Sequence, residues 1–229
     1  MPIPYPLKFP FIAAWAVGNR MGLLADAKVG SHPNLDANTL ARWRSRVAEG
    51  GVYLEYGSGG STIEALQHAS AVFTVETDRR YLQAVEQKVA TTFTDHAPFY
   101  PVHVDIGLTE LWGRPLFRWH SKRALRRWQK YTSAPWEVLA TTNMVPNFIL
   151  IDGRFRIASV LESFLRLPDE ADCLFLFDDF KGREQRYNVV LDFASDAENV
   201  GRALFFRRAK GFSPKACAAI LRRYQADPE

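Results

Sequence analysis

The sequence predicts an α/β protein built on a doubly wound, mostly parallel sheet, and three observations carry that expectation. Short apolar runs alternate with helical patterns from residue 52 onward. The runs are rich in β-branched and aromatic side chains, as strands buried on both faces require. Glycine or acidic residues stand where the runs end, the edge at which such sheets keep their ligands.

In order along the chain, a Pro-rich start (Pro2, Pro4, Pro6, Pro10) leads into Phe9–Val17, which resembles a signal-peptide core. Asn19 and Arg20 interrupt it and Lys8 is its lone basic flank, so secretion is not expected. Leu35–Val47, with Leu40, Trp43 and Val47 on one face, reads as a helix covering the sheet. Val52–Tyr56, Ala71–Glu76, Phe99–Asp105, Asn147–Asp152 and Asp172–Asp178 read as strands. Ser61–Ala69, Arg79–Thr91, Arg156–Leu167 and Arg183–Phe193 read as the helices between and after them. Ala203–Arg208 closes the set as a last strand and Pro214–Tyr224 as an amphipathic helix. The expected organisation is one domain over 1–229. It carries an N-terminal cap segment, 1–50, and a basic helical insert, 106–146, between strands three and four.

Composition narrows the class. A chain of 229 residues with 47% hydrophobic content can bury one sizeable core. Its two cysteines, Cys173 and Cys217, support neither a disulfide framework nor a CxxC metal site, which favours a reducing, cytoplasmic setting. No apolar run approaches the roughly 20 residues that span a bilayer. The net charge of +4 is unevenly spread: the insert holds seven Lys or Arg against Glu110 and Glu137, leaving the rest of the chain slightly acidic. That pattern points to a local anionic partner.

The most informative stretch is Leu54-Glu55-Tyr56-Gly57-Ser58-Gly59-Gly60-Ser61-Thr62. A strand runs into a glycine turn and then a helix, so backbone can approach a ligand closely and helix N–H groups aim at it. A dinucleotide fingerprint would want a third glycine where Thr62 stands, and it has no use for Glu55 two residues before the first glycine. An acid there suits S-adenosylmethionine (SAM), whose ammonium and sulfonium are both positive. Glu76 follows Gly57 at about the 20-residue spacing at which acids bind ribose hydroxyls, and Asp105 ends the third strand. The plain alternative for Glu76 and Asp105 is a cap on the next segment.

Asp152 ends the fourth strand in Asp152-Gly153-Arg154-Phe155-Arg156, and Asp178-Asp179-Phe180 ends the fifth. In a parallel sheet these ends are neighbours. Three carboxylates in one cleft repel unless a cation or a shared proton holds them. Mg²⁺ or Ca²⁺ would suit the oxygen donors. A guanidinium from Arg154 or Arg156 would instead make metal unnecessary, and a plain helix N-cap is the third reading for Asp178 or Asp179.

Glu55–Ser61 resembles motif I of the class I SAM methyltransferases, E-x-G-x-G-x-[GS]. Leu54–Thr62, Asp105–Pro115, Asp152–Arg156 and Asp178–Phe180 together resemble a bacterial group of methyltransferase-like proteins, over about residues 50 to 208. The resemblance implies a Rossmann-like class I fold, SAM as cofactor, and SAM contacts at Glu55, Gly57, Ser58, Gly59, Gly60, Ser61, Thr62, Glu76, Asp105 and Asp152. The acid pattern is also similar to metal-dependent O-methyltransferases of the catechol and macrocin types. That likeness implies Asp152, Asp178 and Asp179 as metal ligands; Arg154 and Arg156 depart from both patterns, and the catalytic set expected from the residues is Asp152, Arg154 and Asp179.

The insert holds Trp112, Trp119, Trp128 and Trp136, four of the six tryptophans. Leu116–Tyr131 can be drawn as a helix with Arg118, Lys122, Arg123, Arg126, Arg127 and Lys130 around an apolar stripe. It reads as an ordinary docked helix with a solvated basic face, or as a lid. As a lid, Trp112, Arg123, Arg126 and Arg127 would meet an anionic acceptor such as an acidic glycan or phosphorylated metabolite. Nucleic acid or an anionic membrane surface stays open as a partner, and His120 is a candidate general base. The function expected is SAM-dependent methyl transfer to an oxygen of a small or glycan-type acceptor. A SAM-fold binding or scaffold protein without turnover and a nicotinamide-dependent oxidoreductase are the competitors.

Overall fold

Seven strands between Val52 and Arg208 form one sheet in a computed structural model that describes residues 5–25, 27–117 and 121–229. In chain order the strands are β1 (Val52–Tyr56), β2 (Ala71–Glu76), β3 (Phe99–His103), β4 (Thr109–Glu110), β5 (Arg114–Pro115), β6 (Phe148–Ile151), β7 (Leu174–Phe177), β8 (Ala194–Val200) and β9 (Ala203–Arg208). The helices are α1 (Tyr5–Arg20), α2 (Ala37–Ala48), α3 (Gly60–Ala65), α4 (Arg79–Thr92), α5 (Lys122–Thr142), α6 (Arg156–Arg166), α7 (Glu184–Tyr187) and α8 (Pro214–Tyr224). The sheet order is β3-β2-β1-β6-β7-β9-β8, with β4 and β5 pairing separately as a short ribbon. The first five strands of that order run parallel, while β9 is antiparallel to both β7 and β8.

Strand alternation sorts the core into two layers. Leu54, Tyr56, Phe73, Ile149, Ile151, Phe175 and Phe177 face α5, α6 and α8, while Tyr53, Val72, Phe148, Leu150 and Leu176 face α2, α3 and α4. Each fully buried aromatic or aliphatic side chain contributes about 1.5–3 kcal/mol. Both layers are therefore needed to hold the strand ends in register. The crossover between β1 and β6 reverses direction along the sheet, and the cleft at that reversal is where doubly wound folds bind ligands.

The predicted fold class holds, and several element limits are corrected. The helix drawn over Leu116–Tyr131 starts instead at Lys122, where Ser121 caps Ala124 N–H, and runs on to Thr142. Its buried face (Trp128, Tyr131, Trp136, Leu139) makes it a crossover helix of the sheet. The residues before it hold the β4–β5 ribbon. The 183–193 helix is one α turn followed by a 3-10 stretch over Asn188–Phe193. Tyr5–Arg20 is a helix despite Pro10. Ala194–Val200 is an edge strand that its exposed, largely polar sequence hid; a register shift between Ser195 and Glu198 roughens this edge, as unpaired edges commonly are. Among the described residues no helix is long and apolar enough to cross a membrane.

Candidate active site

The turn after β1 is built around Gly57, whose φ of 115° excludes most other residues. Its N–H donates to the Val75 carbonyl at 3.0 Å and its carbonyl accepts from Thr74 Oγ1. Across the cleft a side chain on Gly153 would lie 2.1 Å from the Tyr131 hydroxyl and 2.9 Å from the Gly57 nitrogen, so the two turns can pack only as backbone. The His32 carbonyl lies against Gly60, which places the segment before α2 over the start of α3.

Glu55 is buried beneath this turn. Ser61 Oγ donates to one of its oxygens at 2.5 Å and Thr62 Oγ1 to the other at 3.2 Å, while Gly59 N–H donates to Thr62 Oγ1. Burial pushes the Glu55 carboxyl up to about 8, with the hydroxyls pulling it back and the charge of Asp152 adding to the rise. Glu76 sits at the end of β2. Its Oε1 accepts from the N–H groups of Thr77 (2.6 Å) and Asp78 (3.0 Å), and Oε2 accepts from Ser58 Oγ (3.2 Å). Burial raises this carboxyl as well, against those backbone bonds. The Tyr81 hydroxyl of α4 approaches Gly59, and burial together with the charges of Glu76, Glu55 and Asp152 pushes it up to about 12. Among the described residues, the groups that bond Glu55 and Glu76 are hydroxyls and backbone amides, with no cation among them.

Asp105, expected at the end of strand three, lies just past β3 and is held by Arg20. Arg20 Nη1 donates to one carboxylate oxygen and its Nη2 to the other, each at 3.0 Å, Gly107 N–H adds a third bond, and Arg127 stands 3.8 Å away. Arg20 is the main reason this carboxyl drops to about 2. One residue earlier on α1, Asn19 Nδ2 donates to Asp78 at 2.7 Å. The end of α1 is thus fastened to the ends of β2 and β3. A cavity of about 500 Å³ lies there, lined by Asn19, Arg20, Thr77, Asp78, His103 and Asp105, beside the glycine turn rather than over it.

Asp152, Asp178 and Asp179 do converge, each offering an oxygen within 4.8 Å of the others. The donor set does not fit a divalent ion, because guanidinium groups already occupy it. Arg202 takes both oxygens of the buried Asp178 at 2.8 and 2.6 Å and reaches Asp179 at 3.2 Å. Arg156 bonds Asp152 at 3.0 Å, donates to the Asp178 carbonyl at 2.8 Å, and lies 3.6 Å from Asp179. The neutralising arginines are therefore Arg156 and Arg202, with Arg183 3.8 Å from Asp179, and not Arg154. The physical reason is the turn: Phe155 takes the left-handed conformation (φ 53°), so Arg156 opens α6 and folds back over β6. Arg154 instead donates its main-chain N–H to the Tyr131 hydroxyl at 3.3 Å, and its Nε is buried without a hydrogen-bond partner. Crowding by protein raises the Asp152 carboxyl, Arg156 opposing it and the charges of Asp178 and Asp179 adding to the rise.

In the 106–146 segment, Trp112 is left-handed (φ 66°) and 83% exposed. Its neighbour Gly113 presses on Thr77, whose hydroxyl donates to the Gly113 carbonyl at 3.2 Å. The ribbon thus lies next to Glu76. Arg123 and Arg126 are exposed, Arg127 faces Asp105, and Arg118, Trp119 and His120 lie outside the described residues. Sequence reasoning missed Arg20, Arg202 and Tyr81. Arg202 had one usable signal: it opens the run Ala203–Arg208, whose antiparallel pairing sets its first residues beside the Asp178-Asp179 end of β7. Arg20 and Tyr81 carried none beyond their type.

A doubly wound sheet in this order, with a glycine turn and acids at successive strand ends, is consistent with the Rossmann-like fold of methyltransferases. In particular, the chain is similar to the crystal structure of a methyltransferase-like protein from Silicibacter pomeroyi. The TM-score is 0.74 at 27% identity, over 87% of this chain and all of that one. A proposed methyltransferase of Escherichia coli, YhhF, aligns at a TM-score of 0.44 and 20% identity over 78% of this chain and 92% of that one. No family model matches the chain, and no curated protein does.

Proposed function

We propose that the chain is a SAM-dependent methyltransferase acting without metal on a hydroxyl oxygen of a small or glycan-type, anionic acceptor. The observation that carries this reading is the acidic well around Gly57–Thr62: the charge of Asp152 acts on Glu55, the charges of Glu76, Glu55 and Asp152 all act on the Tyr81 hydroxyl, and among the described residues no cation bonds Glu55 or Glu76. Low-dielectric surroundings make such a cluster costly unless a positive ligand completes it. SAM, when bound, supplies a methyl group on a positive sulfonium.

Glu55 and the turn Gly57, Ser58, Gly59, Gly60, Ser61 and Thr62 would hold its methionine end, Glu76 its ribose hydroxyls, and Asp105 its adenine amino group. Asp152, with its raised carboxyl pKa, would take the acceptor's proton, while Arg156 and Arg202 hold Asp178 and Asp179 in place. The protein's remaining contribution is alignment and exclusion of water.

Calorimetric titration with SAM, S-adenosylhomocysteine and NAD tests the reading. Binding of both sulfur nucleosides with no NAD binding is expected. NAD binding in their place would sink it in favour of an oxidoreductase.

A further inference from the structure

α1 is apolar on the side it presents to water. Between Lys8 and Arg20 only Ala16 and Gly18 are buried, and the exposed positions Phe11, Ala14, Val17 and Met21 recur at three- and four-residue steps, which is one stripe of a helix. Met21 belongs to that stripe because its N–H still bonds the Val17 carbonyl. Phe11 is 78% exposed and Leu23, just beyond, 72%. A helix docked on one side only is ordinarily polar on the other, so this outer stripe is unpartnered.

The ribbon extends the patch. α1 packs on β4, and the 3-10 turn that follows β4 exposes Leu111 and Trp112. The Phe117 ring, at the end of the ribbon, lies 6.2 Å from that of Phe9. Cations border the same surface. Lys8 is exposed at the start of the stripe. At its other end Arg127 stands 3.8 Å from Asp105, the acid that Arg20 holds, so the first turns of α5 lie beside the end of α1. Lys122, Arg123 and Arg126 in those turns are exposed. The sequence has no acidic residue from 1 to 25 or from 111 to 136. Glu110, the one acid on the ribbon, stands opposite Arg114.

A partner for this face must take apolar groups out of water and supply negative charge at the border. Nucleic acid does the second and leaves Phe11, Met21 and Leu23 in water. A bilayer surface that contains anionic lipid does both: phosphates at headgroup level meet Lys and Arg, acyl chains just beneath take Phe, Leu and Met, and Trp sits at the boundary. We propose that the outer stripe of α1, the Leu111–Trp112 turn and the exposed cations opening α5 form a docking face for an anionic lipid surface, on which the protein sits peripherally. This face is independent of whether the chain binds SAM. Met21 also lines the cavity beside Asn19 and Arg20, so docking brings that opening to the membrane plane.

Co-sedimentation of the full chain with vesicles tests this, using phosphatidylcholine alone and equal parts of phosphatidylcholine and phosphatidylglycerol. At low salt the wild type should partition onto the mixed vesicles about tenfold or more over the neutral ones, as several Lys or Arg near an anionic surface provide. Phe11→Ser with Trp112→Ser should lower that partitioning about tenfold or more. Arg123→Glu with Arg126→Glu should lower it as much at low salt and less at high salt, where the charges are screened. All four side chains are exposed, so both variants should keep the wild-type melting temperature. Met21→Ser with Leu23→Ser replaces the first pair should that pair lower it. Absence of binding to the mixed vesicles, or binding that either pair of changes leaves as it was, would overturn the proposal. So would a wild-type dimer in analytical ultracentrifugation that the Phe11→Ser, Trp112→Ser protein loses, since a second copy then covers the face. Binding to an RNA duplex tighter than to mixed vesicles, and lost through the arginine changes alone, would overturn it in favour of nucleic acid.

Discussion

Two groups of acids meet at the same edge of the sheet and are stabilised in opposite ways. At the ends of β1 and β2, Glu55 and Glu76 are surrounded by hydroxyls and backbone amides, and burial lifts both carboxyls above their usual range. At the ends of β6 and β7, Asp152, Asp178 and Asp179 are met by Arg156 and Arg202 in a network of charged hydrogen bonds. The first group is electrostatically unfinished, and the second carries its own cations. A positive ligand is therefore wanted on the glycine-turn side only, and a divalent ion at the other would have to displace a guanidinium to find oxygen donors.

Breaking the self-neutralised side should have the largest effect. Asp178→Ala leaves Arg202 without its main partner inside a mostly buried network. The expected loss of stability is about 2–3 kcal/mol, below the range for a wholly buried pair because Arg202 reaches solvent. This is the cost of stranding one charge, not the worth of the pair. Urea unfolding of wild type and variant measures it. In thermal unfolding, Mg²⁺ and chelator should leave the wild-type melting temperature unchanged; a Mg²⁺-dependent rise that vanishes in Asp179→Asn would show that a metal does enter the cluster.

Next in size is Glu76→Ala. It removes a charged acceptor whose Oε1 is already fixed by two backbone amides, leaving Oε2 and its bond to Ser58 at the turn. Loss of charged hydrogen bonds to a ribose costs on the order of 1.5–3 kcal/mol, a tenfold or greater drop in SAM affinity by calorimetry. Unchanged affinity in a folded variant would remove Glu76 from the site.

Glu55 sharpens the contrast through pH. Its carboxyl is raised from about 4.5 to about 8 in the folded chain, so the native state holds a proton that the unfolded state gives up. The stability linked to it is complete below pH 4.5 and is lost as pH climbs through 8. Wild type should therefore lose melting temperature relative to Glu55→Gln across that window. A cationic ligand favours the carboxylate form, so SAM binding near pH 7 should release a proton, visible as a binding enthalpy that varies with the buffer's ionisation heat. An enthalpy independent of buffer would place the ligand's charge elsewhere.

These contrasts were unequally legible in the sequence. The parallel sheet, the glycine turn and the acids at strand ends are local signals: a run of apolar residues, then glycine or an acid, within a few positions. Hence Glu55, Glu76, Asp152, Asp178 and Asp179 could be picked out and brought together from sheet topology alone. The partners were not local. Arg202 lies 24 residues from Asp178 and Arg20 lies 85 from Asp105, and an arginine carries no mark of the acid it will meet. Arg154 and Arg156, two residues apart, could be told apart only by the left-handed Phe155 between them, which β-branch or glycine statistics do not flag. The edge strand β8 stayed hidden because its residues are exposed and polar, with pairing to β9 supplying what propensity lacks.

The smallest expected effect concerns the strap between α1 and the sheet. Arg20 and Asp105 make an ideal two-point pair, yet their side chains are 52% and 36% exposed, so the pair contributes at most about 1 kcal/mol to stability. Its consequence for binding points the other way. If Asp105 receives the adenine amino group, Arg20 holds the oxygens that the ligand needs and must yield them. Arg20→Ala should then barely lower the melting temperature while raising SAM affinity by a factor of a few, more at low salt, where the competing pair is strongest. Arg20→Lys, still charged but without the planar fork, should fall between the two. Weaker SAM binding in Arg20→Ala would mean instead that Arg20 and Asp105 form one wall of the pocket, with α1 closing over the ligand and the pair kept intact.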